Sequence, residues 1–522
     1  MQADASAKKV RFRSSPQGGA ALFGSVGLVL SLAAWPALGQ RAASGSALSV
    51  TSSFTASETY SDTQRDRGTS GGEFVTVLTP AVRISGRLGA IEGSFDYSLS
   101  ALYYSEKSQA NRVVSNAQNG LNSAFTFTAI DNFAFIDVRA STGQQSISPF
   151  GQQSVDNTTQ ANPNRTEVST LSVSPYLRGV IDGVMSYEAR VASVRTDARN
   201  TNASDSTSTT ASATLQSPSA GAVFGWSLTA LQQQVDFRAG RKTVSDRATA
   251  TLTARPYSDL QLSLSGGRES TDVGSATGQR STDTWGWGAR WTPTDRTNIS
   301  YLNENRFFGR SHNVIFEHRM PRSIWRYADI RDTTGGGDPN GVGRPLTLYE
   351  LYFAQFASVQ PDPVQREQLV LAFLRTIGAN PGDTVGGGLL TTAVTLQRRQ
   401  DLSLALLGQR TTINLQAFST NSRVLDTPAA GPANEPVVQR GYNGTVSYRL
   451  SPTSSLSFVG AQQKTLSTTG RRGNDLKSAS LNLISQASRT ASTSLSARYA
   501  VFNGDNTSYR DTSIAASVRF QF

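Results

Sequence analysis

The last ten residues of the sequence, SIAASVRFQF at positions 513–522, alternate strictly between two kinds of side chain. Apolar or small side chains occupy one set of alternate positions, namely Ile514, Ala516, Val518, Phe520 and Phe522. Polar or small side chains occupy the other set, which includes Arg519 and Gln521. Because successive side chains of an extended strand point to opposite faces, this period of two residues predicts a strand with one apolar and one polar face.

The same alternation recurs upstream in runs of about 10–16 residues, whereas strands of soluble proteins usually have about 5–6. In one such run Leu495, Ala497 and Tyr499 alternate with Ser496 and Arg498. A tilted strand needs about 9–11 residues to cross the apolar part of a membrane. We therefore predict an all-β fold, a transmembrane antiparallel outer-membrane β-barrel of about 18–20 strands.

The composition agrees with a barrel better than with a soluble or a disordered chain. Hydrophobic residues make up only 37% of the 522 residues, which suits strands that expose one face to water. The 23 Phe, 15 Tyr and 6 Trp residues argue against disorder. With no cysteine and two histidines, neither a metal site nor another cofactor is predicted.

Residues 1–39 have the pattern of a secretory signal peptide. Basic residues such as Lys8 and Arg13 precede an uncharged stretch at 20–34, and Ala37 and Gly39 supply the small side chains of a cleavage site. The stretch is shorter than the roughly 20 apolar residues of a membrane-spanning helix, which disfavours an N-terminal anchor. We expect export to the cell outer membrane.

The chain has a formal net charge of +11, which would fall to about +8 after removal of residues 1–39. This charge favours an anionic partner such as lipopolysaccharide or an acidic polysaccharide, in addition to outer-membrane lipids. The basic residues are dispersed rather than clustered, so nucleic acid is not an expected partner.

Three prolines, Pro256, Pro293 and Pro452, each lie between two alternating runs. Proline fixes φ and has no amide hydrogen for a strand ladder, so each predicts a short turn. Outer-membrane barrels keep their short turns on the periplasmic side. Polar segments such as Ser105–Asn122 and Asn200–Ser206 are predicted to be extracellular loops.

Residues 327–391 interrupt the alternation and are bracketed by the glycine triplets 335–337 and 386–388. Two apolar stripes, one at 346–356 and one at 364–374, predict amphipathic helices. The chain is thus divided into a signal peptide (1–39), a first set of barrel strands (40–326), a helical insert (327–391) and a closing set of strands (392–522). The insert would plug the lumen or cap one mouth, or it would form a surface subdomain without a gating role.

Charged residues on the polar faces are the candidate functional residues. The alternation places five of them toward the lumen: Asp96, Arg290, Arg449, Arg498 and Arg519. A lipid-facing arginine at the membrane midplane costs about 2–4 kcal/mol, which supports the inward assignment. Such arginines would make a hydrophilic, mildly cationic wall for anionic or sugar-like solutes; alternatively, they pair with inward acids such as Asp96 and only stiffen the wall.

No catalytic motif is present. His312 and His318 lie six residues apart near Glu304 and Glu317, and their even spacing predicts that both lie on one face of a strand. Neither a nucleophile-elbow motif, a phosphate-binding glycine loop nor a metal motif accompanies them. An enzyme is therefore not predicted, and an outer-membrane hydrolase is the least favoured function.

Several stretches, taken in order, resemble the uncharacterised outer-membrane barrel proteins associated with the PEP-CTERM/exosortase system. The matching stretches are Phe74–Pro80, Gly86–Arg87, Phe95–Leu99, Phe135–Asp137, Ile147–Gly151, Trp291–Thr294, Arg306–Gly309 and His318–Arg319, together with Trp325. The resemblance spans most of the chain after residue 39. It implies a barrel in bacteria that make exopolysaccharide, with an export or envelope role, and it implies no catalytic residues.

The leading functional hypothesis is thus a channel or export component for exopolysaccharide or a similar solute. The alternative is a structural or adhesive barrel that binds surface polymer. The apolar face from Ile514 to Phe522 resembles the C-terminal signal that the barrel-assembly machinery reads, so this machinery is an expected partner.

Overall fold

The computed structural model describes most of the chain from residue 48 onward. The described residues are 48–66, 71–105, 117–156, 162–199, 205–218, 223–238, 240–275, 278–334, 393–425, 436–467 and 473–522, together with nine residues between 349 and 374. The predicted signal peptide, with Ala37 and Gly39, lies outside them.

Within these described ranges, twenty-two strands form one antiparallel sheet. They are β1 (Leu48–Arg65), β2 (Gly71–Leu88), β3 (Ile91–Tyr104), β4 (Ala117–Ile130), β5 (Ala134–Ser146), β6 (Arg165–Ile181), β7 (Met185–Ala198), β8 (Ser206–Gln216), β9 (Phe224–Phe237), β10 (Lys242–Tyr257), β11 (Leu260–Thr271), β12 (Arg280–Thr294), β13 (Thr297–Arg306), β14 (Gly309–Met320), β15 (Ser323–Thr334), β16 (Thr395–Leu407), β17 (Thr411–Val424), β18 (Val437–Arg449), β19 (Ser454–Ser467), β20 (Gly473–Gln486), β21 (Ala491–Gly504) and β22 (Ser508–Gln521). The barrel prediction is confirmed, but the predicted count of 18–20 strands is too low.

The sheet closes on itself because the first strand pairs with the last. In the β1–β22 ladder Phe54 lies opposite Phe520, and Ser61 lies opposite Ser513. The backbone amide of Phe522 donates to the carbonyl of Ser52 at 2.8 Å beyond the end of the strand. Closure leaves no unpaired edge, which a sheet surrounded by lipid requires.

The two faces of the wall follow the predicted alternation. On β22 the apolar set faces outward, and Phe520 is 43% exposed there. The polar set faces inward, where Asp511 is only 1% exposed and Ser513 is buried. Apolar side chains thus contact the surroundings while polar side chains line the lumen, the arrangement of a membrane barrel.

Connections differ in length between the two ends of the barrel. At one end of the barrel, which we call the short-turn end, the strands are joined by short segments such as 89–90, 258–259 and 295–296. The opposite end, which we call the long-connection end, contains the segments 105–116, 147–164 and 335–394. The prolines Pro256, Pro293 and Pro452 all lie at the short-turn end, as predicted. The predicted loop Ser105–Asn122 extends too far, because β4 already begins at Ala117.

The predicted helical insert at 327–391 is not supported. Residues 327–334 continue the alternation of β15 and pair with β16, Asp329 opposite Gln400 and Thr334 opposite Thr395. Nine residues between 335 and 391 are described, three adjacent pairs among them, and their backbone has local helical conformation, but no continuous helix is among the described elements. No helix long and apolar enough to cross a membrane is found in the described part of the chain.

Candidate functional site in the barrel lumen

The inward face of the wall is the candidate functional site. Alternate residues of each strand face the lumen, and we say that these positions have inward parity and the others outward parity. The five charged residues that the sequence places toward the lumen all have inward parity: Asp96, Arg290, Arg449, Arg498 and Arg519. For example, Arg498 lies opposite the buried Ser513, and Arg519 lies opposite Ser492. They do not gather at one point, because they are distributed around the wall and between its two ends.

Asp96 and Arg519 belong to one charged group that spans four consecutive strands of the wall, β22, β1, β2 and β3. Asp96 on β3 faces Arg83 on β2, with 3.7 Å between Oδ2 and Nη1. Arg519 donates to Oγ of Ser53 at 3.1 Å and is within electrostatic range of Asp96. The pairing of inward arginines with inward acids, the alternative left open by the sequence, applies here.

Arg498 lies near the long-connection end between two carboxylates. Its Nη1 is 2.8 Å from Asp156 and its Nη2 is 3.3 Å from Asp511. Asp511 also accepts hydrogen bonds from the hydroxyls of Ser61 at 2.6 Å and Thr63 at 3.0 Å. This carboxylate therefore links β22, β21 and β1 across the seam where the barrel closes.

Arg290 and Arg449 lie at the opposite end of the barrel. Arg290 donates from Nε to the amide oxygen of Asn298 at 3.3 Å. Arg449 is the last residue of β18, and its exposed side chain has the same parity as the buried Ser447. Both arginines therefore contribute positive charge to the rim at the short-turn end.

The most deeply buried ion pair among the described residues of the wall is one that the sequence pattern does not identify. Arg306 on β13 bonds Glu269 through two nitrogens, at 2.5 and 3.2 Å, and bonds Asp332 at 2.5 Å. Glu269 is fully buried at 0% exposure. The available signal was the inward parity of all three residues, but their mutual contact depends on how β11, β13 and β15 are aligned.

The β5–β6 loop (residues 147–164) reaches the wall formed by β20 to β22. The Tyr509 hydroxyl donates to the Gln153 carbonyl at 2.7 Å. The amide of Asn474 donates to the Pro149 carbonyl at 2.8 Å, and Arg498 pairs with Asp156. Tyr509, Asn474 and Arg498 all face inward, so the described part of this loop lies inside the lumen near its long-connection end.

The loop also has its own framework of hydrogen bonds. Asn164 accepts from the amide of Ser148 and donates to the carbonyls of Ser148 and Gln152. A Cβ on Gly151 would lie 2.2 Å from the Asn164 side chain, so glycine is needed for this close approach. The sequence marks Ile147–Gly151 as one of the stretches that carry the family resemblance, but nothing in the stretch itself predicts its position inside the lumen.

The β15–β16 connection (residues 335–394) contacts the wall near the short-turn end, although it starts and finishes at the long-connection end. Glu367 forms an ion pair with Arg83 on β2, and Tyr352 hydrogen-bonds Thr445 on β18. Leu407, the last residue of β16, and Val459 on β19 pack against its apolar side chains. These wall residues have inward parity and lie on different sides of the lumen.

Apolar side chains from both predicted stripes of this connection form one cluster. Tyr352, Phe356, Val370 and Leu374 are buried together. Burial raises the pKa of Tyr352 to about 12, with a hydrogen bond to Thr445 as a smaller, opposing influence.

The two histidines share one face of β14, as predicted, but this face points outward. His312 Nε2 lies 3.0 Å from Asp329 Oδ1, and His318 Nδ1 lies 2.9 Å from the hydroxyl of Thr297. Neither histidine lines the lumen. Among the described residues, no group of three or more His, Cys, Asp or Glu side chains is arranged to hold a metal ion.

A closed antiparallel barrel with an apolar outer face and a polar, ion-paired lumen defines a transmembrane β-barrel of the outer-membrane type. The chemistry of its wall is suited to contact with hydrophilic solutes and water.

Among the solved structures to which this chain is similar are an iron transporter, a siderophore receptor and OccK1 (OpdK). The FrpB iron transporter of Neisseria meningitidis (F3-3 variant) is 12% identical, with a TM-score of 0.47 over 90% of this chain and 81% of that chain. The siderophore receptor PirA of Acinetobacter baumannii is 10% identical, with a TM-score of 0.43 over 90% and 80%. OccK1 (OpdK) of Pseudomonas aeruginosa is 8% identical, with a TM-score of 0.34 over 91% and 99%.

All three TM-scores lie below 0.5, so the assignment to the barrel class depends on the strand topology itself. No protein-family model matches the chain, and no curated protein matches it.

Proposed function

We propose that the protein is an outer-membrane channel whose lumen is obstructed by the β15–β16 connection and opens when this connection moves. The main observation in support is how far the connection extends into the lumen from the long-connection end. It begins after Thr334 and returns before Thr395, yet its side chains contact Arg83, Leu407 and Val459 near the other end.

The size of the barrel supports an obstructed lumen. A barrel of 22 strands is too wide for the side chains of its own wall to fill, so the lumen is either open or plugged by another segment. The β5–β6 loop lies across the long-connection end and the β15–β16 connection lies deeper. Together they narrow the path at two levels.

The decisive experiment is to measure conductance in planar bilayers after excision of the connection. Thr334 and Thr395 are direct partners in the β15–β16 ladder, and their hydroxyls lie 2.5 Å apart. A short Gly-Asn turn can therefore replace residues 335–394 without changing the strand pairing. We expect small or rare conductance steps from the intact protein and large, stable steps from the excised one.

Folding of both proteins is checked by heat-modifiable gel migration. If the excised barrel is folded and still conducts no ions, the channel proposal is wrong and a structural or adhesive role takes its place. A hydrolase is not proposed, because both histidines face outward.

For the solute, we propose exopolysaccharide or a similar hydrophilic polymer, in association with a PEP-CTERM/exosortase envelope system. The support is the resemblance of the sequence stretches to that family and the hydrophilic character of the wall. Deletion of the gene should retain polymer inside the cell, and complementation should restore it at the surface. Unchanged surface polymer in the deletion strain would contradict this choice of solute.

A further inference from the structure

Four arginines lie together on the outward face of the barrel, close to the long-connection end. This outward basic patch consists of Arg310 on β14, Arg331 on β15, Arg398 on β16 and Arg423 on β17. Arg331 has the same parity as the exposed Trp325, and Arg398 has the same parity as the exposed Leu402. Each arginine is within four residues of its strand end, roughly 10 Å or less along the strand.

The arginines are close enough to repel one another. Arg331 lies directly opposite Arg398 in the β15–β16 ladder. Arg423 lies opposite Leu396, on the far side of β16, and both Arg398 and Arg423 are within electrostatic range of Arg331. Like charges directly opposite each other destabilise a sheet. A bound anion would reduce this repulsion, so this face favours anion binding.

One carboxylate compensates part of the charge. Asp329 binds Arg398 at 3.0 and 2.6 Å and also bonds His312 and Gln400, each at 3.0 Å. Among the described residues of β14 to β17, Asp329 is the one carboxylate with outward parity. Arg331 donates to a neutral acceptor, the Arg310 carbonyl, at 2.8 Å. The patch therefore keeps an excess of positive charge.

Apolar side chains occupy the outward face directly toward the short-turn end from the patch. Leu402, Leu415 and Trp325 are all exposed there. Apolar wall followed by clustered arginines matches the order of acyl chains and charged headgroups in a lipid leaflet. The guanidinium group is well suited to this partner, because it binds phosphate oxygens through two parallel hydrogen bonds.

We propose that the outward basic patch binds the phosphorylated headgroup of lipopolysaccharide in the outer leaflet, with the acyl chains on the apolar wall beside it. This inference rests on the proposed outer-membrane location, but it does not depend on conduction.

The test measures binding of bisphosphorylated lipid A to the full-length protein in neutral detergent. The test variant is Arg331→Gln/Arg423→Gln, because neither side chain bonds Asp329. The control variant is Arg195→Gln/Arg268→Gln, which removes two outward charges elsewhere. Arg195 pairs with Asp197 at 2.8 Å, and Arg268 lies opposite Asp283. Heat-modifiable migration verifies that each variant is folded.

We expect the test variant to bind lipid A about thirty-fold more weakly, from two arginine contacts, and the control variant to bind within about twofold of wild type. Dephosphorylated lipid A should bind wild type no better than it binds the test variant. The conductance of the test variant should equal that of wild type, which separates this inference from the channel proposal.

Equal binding by wild type and the test variant would overturn the inference, as would equal losses in both variants. Displacement of lipid A by inorganic phosphate at the same concentration would instead assign the patch to a free anion. If the test variant does not assemble, a salt titration of the wild-type protein tests the inference instead. The affinity of wild type for bisphosphorylated lipid A must fall as the salt concentration rises, while its affinity for dephosphorylated lipid A must not. Any other result refutes the site.

Discussion

Several charged residues of the lumen are held in ion pairs with inward acids. Arg498 lies between Asp156 and Asp511, and Arg306 lies between Glu269 and Asp332. The alternation of the sequence was sufficient to place Arg498 inside. It was insufficient to find the partner Asp156, which lies 342 positions away on an inward loop.

Replacement of Arg306 by alanine should strongly destabilise the barrel. Glu269 is fully buried, and removal of its partner leaves an uncompensated charge, which costs about 3–5 kcal/mol. The measurement is the urea dependence of heat-modifiable migration. Arg195→Ala on the outer face serves as the control, since exposed ion pairs contribute about 0.2–1 kcal/mol. Similar midpoints for the two variants would contradict the importance of the buried group.

Replacement of Phe522 by serine should reduce assembly severalfold while leaving the stability of assembled barrels nearly unchanged. The Phe522 side chain is 75% exposed, and the substitution keeps the backbone hydrogen bonds with Ser52. Its effect would therefore report recognition of the Phe522 side chain. The assembled fraction in membranes is measured, with Gln521→Ser as the inward control. Normal assembly of the Phe522 variant would exclude Phe522 from the signal.

At the scale of elements, the β5–β6 loop and the β15–β16 connection both contact the lumen wall, but the sequence pattern indicates only the second as unusual. The β15–β16 connection was recognisable because it breaks the period of two and carries apolar stripes. The predicted start of the insert at residue 327 is wrong. The last residues of β15 are largely polar or charged, and this obscures the alternation of the strand. The sequence of the β5–β6 loop resembles that of any polar loop. Its position in the lumen cannot be predicted from it, because that position depends on contacts with Tyr509, Asn474 and Arg498.

The ion pair between Glu367 and Arg83 is expected to act as a latch on the β15–β16 connection. Glu367→Gln and Arg83→Gln should each raise the ratio of open to closed channels about fivefold, which corresponds to about 1 kcal/mol. The double variant should raise it no further, because both substitutions break the same contact. Single-channel recording provides the measurement.

Asp96→Asn is the matched control for the latch. Asp96 contacts the same arginine at 3.7 Å but belongs to the wall, so its neutralisation should leave the open fraction almost unchanged. Additive effects of the two latch substitutions would show that Glu367 and Arg83 act independently.

For the whole molecule, the pairing of β1 with β22 closes the barrel in a defined register. The chain has no cysteine, so an introduced pair reports this closure without interference. Ser57→Cys/Ser517→Cys joins direct partners on the inward face and should form a disulfide. Ser57→Cys/Ser513→Cys separates the thiols by about 13 Å and should not. Non-reducing gels of denatured protein distinguish the two, and the reverse pattern would refute the register.

The sequence by itself determined that the chain forms long amphipathic strands, which side chains of each strand share a face, and that the short turns lie together. These properties are local, because the period of two is visible within a single strand. The number of 22 strands, the contact of Arg306 with Glu269 and Asp332, and the depth of the β15–β16 connection were decided only by the tertiary structure. They depend on register and on packing across the lumen, which join residues that the linear pattern leaves unrelated.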